Sequence, residues 1–485
     1  MKIKHDDIDI DETNPFKNCK LGRKQYADVL TQIVEEYSKG FVLAINNEWG
    51  TGKSTFVKMW QASLKLQGFR TLYFNAWEND FEPSPLIAII SELKELKNSD
   101  SKNFKSLVQK GSVVAKSIVP ELLKSIAAKY IDTEEVVNAI KNAAEAGTEI
   151  FKNEVDDYAK KKKGLKEFKV SLEKYITNKE SNRKTQIVDN DKEDPVSKPL
   201  VFIIDEIDRC RPNYAVELLE QIKHLFSVPG IVFILSVDKI QLGNAVRGVY
   251  GSDRIDADEY LKRFIDIEYS IPDPNTTQFC NYLVEYFEFD KFFNNQLRKR
   301  TQQFVGDKES FTTTAVWIFQ KHRLPLRLQE KIFAHARLGL TTFEYSQYMF
   351  PHFYLLLIYL KFCHQEYYQK LQNKAFSTQE MITEFEKIFF LGDDQNIRRI
   401  FVSIEALMVL MCNNSFNDRK FDRLITLDQA TGKDVSSIKS NIDNSPNNTL
   451  FIQFLKSNLD SFEYGTVSID YLLNKINLTA QIIIT

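Results

Sequence analysis

An α/β fold with a mainly parallel sheet, a charged helical insertion and a mainly helical C-terminal portion is the class this sequence predicts. Three observations predict it. The run "FVLAI" (41–45) leads into a glycine-rich turn, "NNEWGTGKST" (46–55), and then into helical spacing. Two later apolar runs, "PLVFIID" (199–205) and "GIVFILSVD" (230–238), have the near-continuous hydrophobicity of parallel strands covered on both faces. Beyond "EYSIPDPN" (268–275), whose prolines mark a boundary, strand patterns become rare. At 485 residues the chain exceeds what one hydrophobic core sustains, so two domains are expected, 1–275 and 276–485.

The elements follow in order. "KQYADVLTQIVEEYS" (24–38) spaces its apolar residues helically, and Gly40 ends it before the first strand. After the turn, Phe56, Met59, Trp60 and Leu64 recur at the helical period. "TLYFNAW" (71–77) is aromatic and β-branched, as strands are, and a helix is expected over 85–96. From about 98 to 198 the chain turns charged, as in "YAKKKKGLKEFK", with helical patterning between the charge runs. "AVELLEQIKHLF" (215–226) carries an apolar stripe of Leu218, Leu219, Ile222, Leu225 and Phe226. Strands alternating with helices imply parallel pairing through right-handed crossovers.

Composition narrows the function. A net charge of −2 gives no whole-chain attraction to nucleic acid or anionic lipid. Cys19, Cys210, Cys280, Cys363 and Cys412 lie far apart, without zinc or redox spacing, which fits reduced thiols in the cytosol. The acidic start "MKIKHDDIDIDE" lacks the apolar stretch of a secretory signal. Neither "SVVAKSIVPELLKSIAAKYI" (112–131), with its charges and Pro120, nor the short "FYLLLIYLKF" (353–362) is a transmembrane span, so a cytoplasmic protein is expected. The six histidines show no metal-ligand spacing.

The chemistry concentrates at the turn. In a strand, turn and helix ending Gly52-Lys53-Ser54, backbone N–H groups of Asn47, Glu48, Trp49, Gly50, Thr51, Gly52, Lys53, Ser54 and Thr55 would converge on phosphate oxygens, helped by the helix dipole. Lys53 would neutralise the β- and γ-phosphates, and Ser54 would ligate Mg²⁺. Asn47 stands where this loop usually has glycine, and the expectation is that it adopts positive φ, as Asn readily does. Asp205 ends a buried strand and is the natural direct or indirect Mg²⁺ partner, while Glu206 is placed to polarise water for in-line attack. In chain order the 71–77 strand separates the lysine loop from the carboxylate strand. With the adjacent glutamate, that order favours the hydrolysing, additional-strand division of such folds over small-molecule kinases.

Here the chain resembles the KAP family of P-loop NTPases. The matching pieces are "GFVLAINNEWGTGKSTFVKMW", "FNAWEND", "LVFIIDEIDRCRPNYAVELLEQIKHLF", "GIVFILSVDKIQL", "YLKRFIDIEYSIP" and "RLPLRLQEKIFAHARL", which cover about half the chain in order. The resemblance implies an ATPase core, with ATP as the nucleotide, and a helical C-terminal portion. It assigns Asp208 and Arg209 to an acidic and basic pair, with Arg209 either reaching the γ-phosphate or bridging to a carboxylate. It places Asp238 where relatives sense the γ-phosphate, and Arg327 where a second sensor or a plain helix-surface charge would sit. Asn75 and Trp77 match a motif expected to pack beneath the site. Some bacterial relatives are associated with phage exclusion.

The expectation is therefore a bacterial Mg²⁺-dependent ATPase acting as a conformational switch on a protein effector or through self-association. Two rivals remain: a scaffold that binds ATP without hydrolysing it, and an ATPase stimulated by nucleic acid through Lys160 to Lys163, residues that otherwise read as a solvated face.

Overall fold

The computed structural model describes residues 9–82, 85–93, 162–174, 176, 198–223, 225, 228–252, 254–389, 394–416, 424–430, 432–462 and 467–479. Most of the expected insertion, including 112–131 and the first two of the four lysines, lies outside the described residues. Lys162 and Lys163 are exposed at the start of a helical stretch, 162–174, whose Phe168 and Leu172 are buried in the core of the α/β unit. The chain divides into two compact units, Asp7–Asp273 and Pro274–Thr485.

The first unit runs α1 (Lys24–Glu36), β1 (Val42–Asn46), α2 (Lys53–Leu66), β2 (Arg70–Asn75), α3 (Pro85–Glu92), β3 (Leu200–Asp205), α4 (Pro212–Ile222), β4 (Ile231–Val237), α5 (Lys239–Tyr250), α6 (Ala257–Leu261) and β5 (Ile267–Tyr269). Its sheet has the order β2-β3-β4-β1-β5, and every pairing is parallel. The strand between β1 and β3 is β4; β2, which precedes β3 in the chain, takes the edge. That is the additional-strand arrangement, with the added strand contributed by a later segment than chain order suggests.

Alternation along the strands explains the layers. Val42 and Ala44 of β1, with Phe202 and Ile204 of β3, belong to one apolar cluster with residues of α3, α4 and α5. Leu43 and Ile45, with Val201 and Ile203, belong to the other, together with Leu30, Val34, Phe56 and Trp60 of α1 and α2. Successive side chains of a strand point to opposite faces, so a continuous apolar run needs helices on both. Each such Leu, Ile or Phe contributes about 1.5–3 kcal/mol when fully buried.

The second unit is helical: α7 (Thr276–Tyr286), α8 (Asp290–Phe293), α9 (Gln296–Arg300), α10 (Asp307–Lys321), α11 (Leu326–Gly339), α12 (Pro351–Cys363), α13 (Gln365–Gln372), α14 (Thr378–Ile388), α15 (Gln395–Phe416), α16 (Thr449–Ser461) and α17 (Ile469–Ile476). One antiparallel pair, β6 (Ile425–Leu427) with β7 (Asp434–Ser436), accompanies them. Every residue of α12 from Phe353 to Leu360 is buried, so its apolar run is the core of this unit. Among the described residues no helix is long and apolar enough to cross a membrane.

Two predictions follow from packing. Gly40, just before β1, has φ 113°, and a Cβ there would lie 2.6 Å from the Ile231 carbonyl oxygen. Gly40→Ala is expected to cost about 2 kcal/mol, read by urea denaturation, because both φ and backbone contact forbid the methyl; an unchanged midpoint would contradict this. Glu405 on α15 is fully buried, accepts a hydrogen bond from Ser440 Oγ at 2.5 Å, and burial pushes its carboxyl well above the ordinary range, aided by Glu386 and Asp443. The fold thus favours the protonated form, so this stabilisation is complete below the ordinary carboxyl pKa and is lost as pH rises through the elevated one. Glu405→Gln should lose less stability than the parent as pH rises above the ordinary carboxyl pKa; parallel curves would show the burial to be harmless.

Candidate functional site

Parallel strands end on the same sheet edge, so the residues that terminate them meet there. Register brings the partners alongside: Asn75 pairs with Asp205, Asp205 with Ser236, and Asn46 with Val237. The turn after β1, the Asp205-Glu206 step after β3 and Asp238 after β4 therefore share one edge with Asn75.

The turn itself is built on glycine. Gly50 and Gly52 have φ of 82° and 81°, values that a side chain would penalise. Such a backbone turns N–H groups into an anion-binding concavity, completed by the N-terminus of α2 at Lys53. Asn47 does not adopt positive φ, contrary to expectation. Its amide instead donates to the Ile271 carbonyl at 2.8 Å and accepts from the Ile271 N–H at 2.9 Å, fastening the turn to the segment after β5. Asparagine replaces glycine here because the side chain makes these two bonds.

Arg23, ahead of α1, was not singled out by sequence. It is 3% exposed, and its guanidinium donates to the carbonyls of Thr51 at 2.8 Å and Gly52 at 3.2 Å. Holding those oxygens on the Arg23 side leaves the adjoining N–H groups for the concavity. A lone basic residue before a helix has no periodic signature, so only the folded chain exposes this role.

Lys53 is 8% exposed, and its ammonium donates to the carbonyls of Asn47 and, at 3.0 Å, Glu48. Burial lowers its pKa, opposed by Asp208, Asp238 and Asp205. The Glu48 carbonyl also accepts from Thr51 Oγ1 at 2.9 Å, while Thr55 lies half-buried in the first turn of α2. Trp49 is half exposed, and its indole N–H donates to Asp208. Burial pushes the Asp208 carboxyl up, opposed by that indole bond and by Lys53.

The carboxylates after β3 are held differently. Asp205 is 1% exposed and accepts from Tyr73 Oη at 2.8 Å and from the Glu206 N–H at 3.0 Å. Glu206 has φ 61°, an uncommon value for glutamate that costs about 1–2 kcal/mol. Its carboxylate pairs with Arg209 Nη1 at 2.6 Å and accepts from Asn75 Nδ2 at 3.2 Å, with Ser54 Oγ at 3.4 Å. Arg209 therefore bridges to a carboxylate in this structure. Asn75 does more than pack, since it holds Glu206 and also caps the turn that follows it. Trp77, expected beneath the site, is 54% exposed, and Arg209 lies 5.9 Å from its ring centre.

Asp238 is the N-cap of α5, accepting from the Ile240 and Gln241 N–H groups at 3.1 and 3.2 Å. Arg327 is exposed in the first turn of α11, in the other unit. The structure thus gathers Asn47 to Thr55, Asp205, Glu206, Arg209 and Asp238 in one unit, and leaves Arg327 in the second.

The KAP family P-loop domain model matches residues 23–411. No curated protein sequence matches the chain. Among solved structures, the Aeropyrum pernix ORC2 protein, determined as ADPNP–ADP complexes, is similar at 12% identity over 90% of this chain and 95% of that one, with a TM-score of 0.31.

Removing the Arg23 brace should loosen the concavity. Arg23→Met is expected to weaken nucleoside triphosphate binding by about 10-fold in calorimetry, two charge-assisted bonds being lost. Unaltered affinity in a folded variant would show that the loop holds its shape alone.

Proposed function

The chain belongs to the KAP family of P-loop NTPases, and from that premise we propose that it is a magnesium-dependent ATPase acting as a nucleotide-driven conformational switch. The observation that carries this reading is Glu206, a carboxylate at the end of a buried strand, 3.4 Å from Ser54 on the phosphate-binding helix and clamped by Arg209 and Asn75. Phosphate oxygens would displace the Asn47 and Glu48 carbonyls from the Lys53 ammonium and take up the loop N–H groups.

The donor set fits magnesium. Mg²⁺ prefers oxygen ligands and is commonly held by one or two carboxylates together with substrate phosphates. Ser54 Oγ and the Asp205 carboxylate are such donors. Among the described residues no cluster of three or more His, Cys, Asp or Glu is arranged to hold a metal unaided, so phosphate would have to complete the shell. The ion would neutralise charge on the β- and γ-phosphates. Glu206 would accept a proton from the water attacking the γ-phosphorus, the leaving group being ADP. For that, its carboxylate must leave Arg209, and the γ-phosphate is the anion for which the guanidinium would exchange it. Loading and loss of the γ-phosphate thus become two arrangements of one ion pair, the local event of a switch.

Asp238, through the start of α5, and Arg327, in the helical unit, are the residues proposed to report that change. A cytosolic, bacterial and anti-phage setting, with a protein effector, belongs to the same proposal through the family resemblance alone. The clamp on Glu206 also suits a second reading, a scaffold that binds ATP and leaves it intact.

Glu206→Gln separates the two. Under the ATPase reading, turnover falls by about 10²–10⁴-fold while ATP affinity stays within a few-fold, so labelled ATP remains trapped on the protein. Tight binding with no measurable turnover in the parent chain would favour the scaffold.

A further inference from the structure

The aromatic stretch before α12 builds a cavity of about 270 Å³ in the helical unit, at the small end of ligand pockets. Four of the residues lining it are aromatic walls. Tyr348 and Phe350 stack at 5.7 Å with an interplanar angle of 22°, Phe462 stands edge-on to both at 5.5 and 5.6 Å, and Phe304 meets Tyr348 edge-on at 5.2 Å. Phe350 holds φ 51°, a value bulky residues avoid, and it immediately precedes Pro351 at the start of α12.

Polar side chains also line this space, among them His352 and Asn458. Thr314 Oγ1 donates its only proton to the Ser310 carbonyl at 2.8 Å and lies 2.6 Å from His352 Nδ1. The hydroxyl must therefore accept from an Nδ1–H, which leaves Nε2 of a neutral ring as an acceptor. Burial lowers the His352 pKa and so maintains the neutral form. Across from the histidine helix, on α16, Asn458 has a buried Nδ2 with no hydrogen-bond partner. The lining thus combines aromatic faces with an unused acceptor and an unused donor.

The geometry points to a nucleobase-binding site in the helical unit, separate from the phosphate loop, in which a planar heteroaromatic ring stacks on Tyr348, Phe350 or Phe462 and presents a polar edge to His352 and Asn458. Stacking on aromatic side chains is tolerant of base identity. An aliphatic guest would leave both polar groups unpaired. An anion would meet no Lys or Arg among the described lining residues. A cation would find one lining carboxylate, Asp307, already paired with Arg298, and would leave the Asn458 N–H unpaired. The base could belong to a free nucleoside or nucleotide, or to an unpaired position of single-stranded nucleic acid; the chemistry is shared.

The test uses the full chain and probes without a triphosphate: adenosine, guanosine, cytidine, uridine and a short single-stranded oligonucleotide, followed by calorimetry and saturation-transfer NMR. At least one probe is expected to bind the parent and Lys53→Ala alike, within about twofold, and to bind Asn458→Leu and Tyr348→Ala about 10-fold more weakly. Tyr348 is 37% exposed, so its truncation leaves the buried core in place, and a thermal melt verifies the fold. If the oligonucleotide binds at least 10-fold tighter than every nucleoside, the base comes from a strand; otherwise it comes from a free nucleoside or nucleotide. The inference fails if no probe binds at about 1 mM, or if binding depends on Lys53 and ignores both cavity variants. Tetramethylammonium binding in place of every base would equally overturn it. Because the probes bypass the phosphate loop, these outcomes are independent of whether the chain hydrolyses ATP.

Discussion

The site depends on parallel register. β1, β2, β3 and β4 end on one edge of a sheet in which Asn75 sits beside Asp205 and Asp205 beside Ser236. A one-residue slip in any of these strands would send its apolar side chains to the wrong face and its terminal polar residue away from the turn. Packing and chemistry are thereby fixed together: the same alternation that buries Ile203 and Ile204 on opposite faces delivers Asp205 and Glu206 to the edge.

Charge balance is the second constraint at that edge. Three cations, Arg23, Lys53 and Arg209, and four acids, Asp205, Glu206, Asp208 and Asp238, lie in one partly or wholly buried region. Buried charges persist when paired or hydrogen-bonded, and each of these has a partner within the site. The partners are mostly backbone atoms of the turn or neighbouring side chains, which an incoming polyanion would compete with. Glu206 and Arg209 form the pair most open to such exchange, since neither is sealed in the core.

The helical unit is held by different means. Phe289, Phe311 and Phe333 meet at ring separations of 5.1 to 5.5 Å, and the fully buried Arg298 lies over Phe292 and Phe304 while pairing with Asp307. Rings dominate this core, and they leave spaces where their edges fail to mesh. The cavity beside Tyr348 and Phe350 is one of these spaces, with polar groups in its lining.

By itself the sequence determined the α/β class, the helical second portion, the positions of strands β1 to β4, and the turn from Asn47 to Thr55 with its lysine and following carboxylates. These are local properties: hydrophobic period, glycine placement and strand-end polarity all act over a few residues. Tertiary structure alone decided that β4 lies between β1 and β3, that Asn47 is fastened to Ile271 with its φ outside the positive range, that Arg23 braces the turn, and that Asn75 holds Glu206. The last three are hydrogen bonds between segments separated by 28 to 224 positions, and a polar side chain has no periodic signal naming its distant partner. Local physics writes the elements into the sequence, whereas the pairing of polar groups is settled only when packing brings the elements together.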